Sequence, residues 1–335
     1  MRGAKATVGV DLSKEYFTAY LLSRDEEISA GPKNFQRDRR GLKEFKQWVE
    51  GHGFRAEDVI VVTESTNNYW ETVAVKLFEE GFRVSVVNPR VIKDFGRSLQ
   101  RKTKTDAIDA EVIALYGVRM KPRQWDRSRY EKMLRLRHLV RTREFLLRER
   151  LRLRNHLDML KGSEFAPEEA IKVVEGSLRE IERGIEETEE KIKEEIRADK
   201  EIEEGVRILR SIPGIGVINA LVILSEAKGF EGFSRSREVV SYAGICPRVE
   251  ESGKRRVDKG ITREGNRRLR TAAYFAAMAS LRHRSKVFRS YYERLLSRGK
   301  SKKAALMALG GKILRISFAL VKKGEVFTPE LCMSR

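Results

Sequence analysis

Leucine recurs every seven residues at Leu139, Leu146, Leu153 and Leu160, and a second run, Leu178, Ile185 and Ile192 with Val174 and Ile181 at the companion position, keeps the same interval. A seven-residue apolar period suits a helix lying along a partner helix and cannot suit a strand, whose period is two. Between the runs, "KGSEFAPEE" holds the helix breakers Gly162 and Pro167. The spacing therefore predicts a long antiparallel helical hairpin, a coiled-coil insertion over residues 126–204. Its arms differ in charge: "RTREFLLRERLRLR" is strongly basic and "EIERGIEETEEKIKEEI" mostly acidic. Two readings stay open, one in which the charges only pair and solvate the helices, and one in which the basic arm holds an outside polyanion.

The hairpin divides the chain of 335 residues, leaving an N-terminal segment, 1–125, and a C-terminal segment, 205–335. The first alternates strand and helix patterns. "TVGVDLSKEYFTAYLL" reads as two strands with a turn near Ser13 and Lys14, the first ending at Asp11. "DVIVVTES" is a continuous apolar run of strand length ending at Glu64, as in a strand buried on both faces. "YWETVAVKLFEEG" has helical spacing, "RVSVVNP" is strand-like and ended by Pro89, and "KTDAIDAEVIALY" begins a helix. An α/β domain follows. The C-terminal segment reads as mainly α-helical, with a glycine-rich turn in "SIPGIG" that either connects two helices or offers backbone N–H groups to a phosphate.

Lys and Arg number 69 against 49 Asp and Glu, a formal charge of +20, so a polyanion is the natural partner. The most apolar windows, "INALVILSEA" and "TAAYFAAMASL", fall short of the roughly 20 residues that a membrane helix needs, and the N-terminus has no signal layout. Cys246 and Cys332 are the two cysteines, too few for a disulfide framework or a cysteine zinc site. His52, His138, His156 and His283 lack metal-ligand spacing. These features describe a cytoplasmic protein that faces nucleic acid and no membrane.

Four acids stand out. Asp11 and Glu64 end strands, while Asp106 and Asp109, three apart at a helix start, share one helical face. Asp106 as a helix cap is one reading. The other is a metal site, since an α/β sheet gathers strand ends at one edge where a helix can lay its acids across them. Four clustered carboxylates repel unless cations sit among them. Mg2+ suits them as a hard ion taking carboxylate oxygen, and two ions about 3.5–4 Å apart can clamp a phosphoryl displacement.

In the C-terminal segment "ESGKRR" sets Ser252 in a basic loop, where Gly253 permits close backbone approach to a phosphate and Lys254, Arg255, Arg256, Arg267 and Arg268 supply charge. No histidine stands near in sequence to act as base, and Ser65, Ser234, Ser236 and Ser241 are competing serines. Arg101, Lys102 and Lys104 precede the acidic helix, and Arg141, Arg143, Arg148, Arg150, Arg152 and Arg154 crowd the hairpin's basic arm. All these cations are candidates for phosphate contacts, which bind strongly but read no sequence directly.

"VGVDLSKEYF", "VVTESTNNYW" and "KTDAIDA" resemble the Asp, Glu, Asp, Asp set of RuvC-like nucleases within the ribonuclease H fold. "SIPGIG", "YAGICPRVEESGKRR" and "ITREGNRRLRTAAY" resemble the C-terminal domain of the DEDD insertion-sequence transposases. The resemblance implies a RuvC-like N-terminal domain, Mg2+ held by Asp11, Glu64, Asp106 and Asp109, and Ser252 as a nucleophile that becomes joined to DNA. It also implies a structured guide RNA, termed bridge RNA, and a homo-oligomer, dimer or tetramer through the hairpin, in which one protomer's serine meets another's acids. The rivals are a hydrolytic junction-cutting nuclease using the same acids, a non-catalytic nucleic-acid-binding protein, and an actin-like sugar or acid kinase suggested by "VGVDLSK".

Overall fold

The computed structural model describes residues 3–65, 69–100, 105–252, 255–282 and 286–329, with backbone alone at 128–130, 248–252 and 255–259. It divides into two compact units, residues 1–130 and 131–335.

The first unit is built on a five-stranded sheet. β1 (Ala6–Leu12), β2 (Tyr16–Ser23), β3 (Ser29–Gln36), β4 (Val59–Glu64) and β5 (Arg83–Val87) lie in the order β3-β2-β1-β4-β5. β1, β2 and β3 are antiparallel neighbours, and β4 and β5 run parallel to β1. β1 and β4 are apolar and largely buried, as strands covered on both faces must be. One face carries an aromatic cluster, in which Phe17 and Phe35 from the sheet meet Phe45 of α1 (Arg39–Gly51) with ring centroids 5.4–5.5 Å apart.

α4 (Asp106–Met120) covers β1 on the other face, behind α2 (Tyr69–Glu79) and α3 (Pro89–Ser98) in chain order. Its approach is unusually close. A Cβ on Gly9 would lie 2.2 Å from the Ala110 carbonyl oxygen and 2.3 Å from the Ala114 nitrogen, and one on Gly117 would lie 2.4 Å from Thr7 Cγ2. Glycine at both positions is what lets helix and strand touch. Because Gly117 lies over Thr7 while Ala110 and Ala114 lie over Gly9, α4 runs antiparallel to β1 and its first turn overhangs the end where Asp11 sits.

In the second unit, α5 (Arg127–Lys161), which begins in the first, pairs antiparallel with α6 (Glu168–Ala198). Four ion pairs mark the register: Arg135–Glu195, Arg143–Glu189, Arg154–Glu182 and Lys161–Glu175, at 2.5–2.7 Å. The leucines of the seven-residue repeat are half-buried, and Ile185 and Ile192 are buried. α7 (Lys200–Ser211), α8 (Val217–Glu226), α9 (Ser236–Tyr242), α10 (Arg267–Arg282), α11 (Lys286–Ser297) and α12 (Lys302–Lys323) form an all-helical core around Leu209, Phe230, Phe288 and Ile313. A two-stranded hairpin, β6 (Pro247–Ser252) and β7 (Arg255–Ile261), interrupts it.

Several local expectations are corrected. β3, α1 and α3 carry patterns not read from the sequence, and Pro89 starts α3 behind the Asn88 cap as well as ending the strand run. The "SIPGIG" turn joins α7 to α8 at close quarters with α10, since a Cβ on Gly214 would lie 2.4 Å from both Ala276 O and Ser280 N. α12 is, by length and composition, apolar enough to cross a membrane, contrary to the expectation that no window was long enough. Here it is the central helix of the core, burying Leu309, Ile313, Leu314 and Leu320.

Candidate active site

Asp11 and Glu64 become neighbours through strand register. Val10 pairs with Thr63 across parallel β1 and β4, so one further residue sets Asp11 beside Glu64 on the face that α4 covers. α4 then delivers Asp106 and Asp109 from its first turn. The helix cap is Thr105, not Asp106: its side-chain oxygen accepts from the Ile108 N–H at 3.3 Å. Asp106 is thereby released from capping, and its Oδ2 accepts a hydrogen bond from the Tyr16 hydroxyl at 3.0 Å.

The electrostatics tie the four together. Asp11 is pushed up to about 6, first by burial and then by the charges of Glu64, Asp106 and Asp109 in turn. Like charges gathered in a half-buried spot favour keeping one proton. Among the described residues, no group of three or more His, Cys, Asp or Glu side chains stands close enough together to enclose a metal ion. The four acids are thus neighbours in one field and not a closed coordination shell. Their donor chemistry nevertheless fits a hard divalent cation, which takes carboxylate oxygens and would cancel the repulsion that raises Asp11. Beside them an open cleft of about 720 Å³ runs along β2 and β3, lined by Thr18, Lys33, Asn34, Thr105 and Asp106 among others.

Ser252 is the last residue of β6 and pairs in register with Arg255, while Glu251 pairs with Arg256. The side chains of these four and the connecting Gly253 and Lys254 lie outside the described residues, as do Arg101, Lys102 and Lys104. At the root of the hairpin stand three arginines, of which only Arg267 was read from the sequence. Arg270 donates from Nη1 to the Ala243 carbonyl at 2.8 Å. Burial and the neighbouring charges of Arg263 and Arg267 together push its guanidinium downward. Three cations crowding one place, with Arg263 and Arg267 exposed, suit a phosphate.

The hairpin arginines divide by role. Arg141 grips the buried Glu226 with two bonds of 2.7 and 2.8 Å, and Asn266 donates to the same carboxylate at 2.7 Å. These bonds hold Glu226 below the usual carboxylate range although burial alone would raise it. Arg143 and Arg154 pair with the acidic arm, Arg152 with Glu149 one turn back, and Arg268 with Glu144 at 2.7 Å. Arg148 donates to the Glu144 carbonyl at 3.3 Å, and Arg150 is half-buried. Partners lying 28 to 124 residues away are not visible as sequence patterns.

An acid-bearing mixed sheet followed by a helical hairpin and a helical unit with a basic loop defines a class. Residues 8–161 match the DEDD model of IS110-type proteins, described as Transposase, and this domain implies a RuvC-like fold. Residues 206–293 match the model described as Transposase IS116/IS110/IS902 family. The chain is 26% identical to the pilin gene-inverting protein of Moraxella bovis over 97% of its own length and 98% of that relative. It is 25% identical to a probable family 20 transposase of Pseudomonas aeruginosa over 96% and 98%. With the transposase for insertion sequence element IS1111A of Coxiella burnetii the identity is 32%, over 40% of this chain and 37% of the relative. The class is that of DEDD-type DNA transposases and recombinases. Within it, the chain belongs to the IS110 family of insertion-sequence transposases.

Proposed function

We propose that this transposase cleaves and rejoins DNA through a phosphoserine at Ser252, with Asp11, Glu64, Asp106 and Asp109 holding Mg2+, and that a structured RNA chooses the sites. The observation that carries the reading is the field among the acids: Asp11 is held at about 6 by burial and by the other three. A bound Mg2+ pair would neutralise the reacting phosphate and the oxygens entering and leaving it.

In the transfer, Ser252 Oγ forms a bond to phosphorus and loses its proton to solvent. The bond from phosphorus to a deoxyribose oxygen breaks, and that oxygen takes up a proton. Attack by a deoxyribose hydroxyl on the phosphoserine then reverses the exchange, joining a new strand and regenerating serine. Arg263, Arg267 and Arg270, crowded at the root of the hairpin, are suited to hold the phosphate charge. Tyr16 fixes the Asp106 carboxylate by its 3.0 Å bond. The family resemblance supports a homo-oligomer in which serine and acids come from different copies. It also supports the guide RNA, which would supply the base reading that phosphate contacts lack.

The test is covalent trapping on denaturing gels with labelled DNA. The wild-type protein, co-expressed with the RNA encoded beside its gene and given Mg2+, should form an adduct. Ser252→Ala should bind DNA and form none, and Asp106→Ala should form none while staying folded. Cleavage by Ser252→Ala at the wild-type rate would replace this reading with the hydrolytic nuclease, and recombination by RNA-free protein would remove the guide.

A further inference from the structure

Between residues 286 and 315 the chain carries nine Lys and Arg against the single acid Glu293. The densest part is the connection from α11 to α12, where Arg294, Arg298, Lys300, Lys302 and Lys303 are all exposed. Elsewhere in this unit cations find acids, as in Arg143–Glu189 and Lys322–Glu231. Among the described residues, the ion pairs leave these five untouched.

Their placement is unfavourable for the protein by itself. Lys302 and Lys303 occupy the first turn of α12, where the helix dipole is positive and cations are disfavoured. Ser301 caps that helix through the Ala304 N–H, so the lysines contribute nothing to capping. Two cations of the stretch, Arg294 and Lys312, are also held in place. The ring of Tyr291 on α11 carries Arg294 at 5.4 Å and Lys312 of α12 at 4.5 Å from its centroid, so one aromatic ring meets charge from both helices. Such a displayed, uncompensated array is what counterion release on a phosphate backbone exploits.

The packing of α12 ties this surface to the strand that carries Ser252. Gly311, beside Lys312, abuts Ile245, since a Cβ on it would lie 3.3 Å from Ile245 Cγ2. Ile245 stands two residues before β6, the strand that ends at Ser252. We infer that the α11–α12 connection is a second DNA contact, holding the phosphate backbone of duplex flanking the strand that Ser252 attacks. This rests on the reading of Ser252 given above.

The test measures binding, not catalysis. Full-length Arg298→Glu/Lys300→Glu/Lys303→Glu protein is titrated with labelled duplex DNA by fluorescence anisotropy across a range of KCl. Three lost phosphate contacts should lower the slope of log K against log salt by about 2.7 and weaken binding on the order of 100-fold at 0.1 M salt. Should that variant fail to fold by circular dichroism, the Gln triple, which removes charge without reversing it, takes its place with the same expected slope. An unchanged slope overturns the proposal, and so does a loss confined to a structured RNA of equal length. If the slope falls as expected but the wild-type protein never forms a serine adduct, the reading of Ser252 fails and the contact surface stands.

Discussion

Replacing Asp11 with Asn should make the protein more stable at pH 8 and leave it nearly unchanged at pH 4.5. The Asp11 carboxyl is raised from 3.8 to about 6, so the folded state holds its proton more tightly than the unfolded chain. Its stabilising contribution is present in full below pH 3.8 and is lost as pH rises through 6. A shift of about 2 units corresponds to roughly 3 kcal/mol. The carboxyl is only partly buried, so solvent screening reduces this to about 1–2 kcal/mol. In a unit of this size that amounts to roughly 4–8 °C in melting temperature. The assay is thermal unfolding in EDTA at pH 4.5, 6 and 8, with wild type and Asp11→Asn side by side. Added Mg2+ should then stabilise the wild type at pH 8 more than the variant, because a ligand that binds only the folded state raises its melting point by mass action. Equal stabilisation at pH 4.5 and pH 8, or none at pH 8, would refute the clustering of the four acids.

Arg141→Ala should cost about 3–5 kcal/mol in urea unfolding, because it strands the buried Glu226 without its bidentate partner. Arg150→Ala should cost less than about 1 kcal/mol, and an equally small loss for Arg141→Ala would show that Arg141 is only a surface cation. Gly9→Ala should lift α4 from β1, since the new Cβ meets backbone at 2.2 Å. It should cost at least about 1–3 kcal/mol, and amide exchange across Asp106–Met120 should accelerate. Unaltered exchange there would contradict the close approach.

What could be read in advance follows from the range of the interactions. β1 and β4 were legible because strands covered on both faces are apolar runs, and their terminal acids, Asp11 and Glu64, stood out by contrast. β3 was not, because "SAGPKNFQ" is an edge strand with mostly exposed residues and so has no burial pattern to print on its sequence. Asp106 and Thr105 show the same limit within one turn. Either can cap a helix, and only the path of the chain into α4 decides that Thr105 does so and leaves Asp106 to Tyr16. The basic arm of the hairpin shows it across the chain. Arginine spacing alone cannot reveal that Arg141 belongs to a glutamate 85 residues away. Composition left open whether those arginines bind a polyanion or pair with acids, and the ion pairs of Arg141, Arg143 and Arg154 subtract these three from the charge that faces outward. The excess of positive charge is therefore displaced toward cations that the fold leaves uncompensated, and residues 294–303 hold five of them within ten positions. Net charge favours a polyanion as partner, and the ion pairs mark the cations already engaged within the chain.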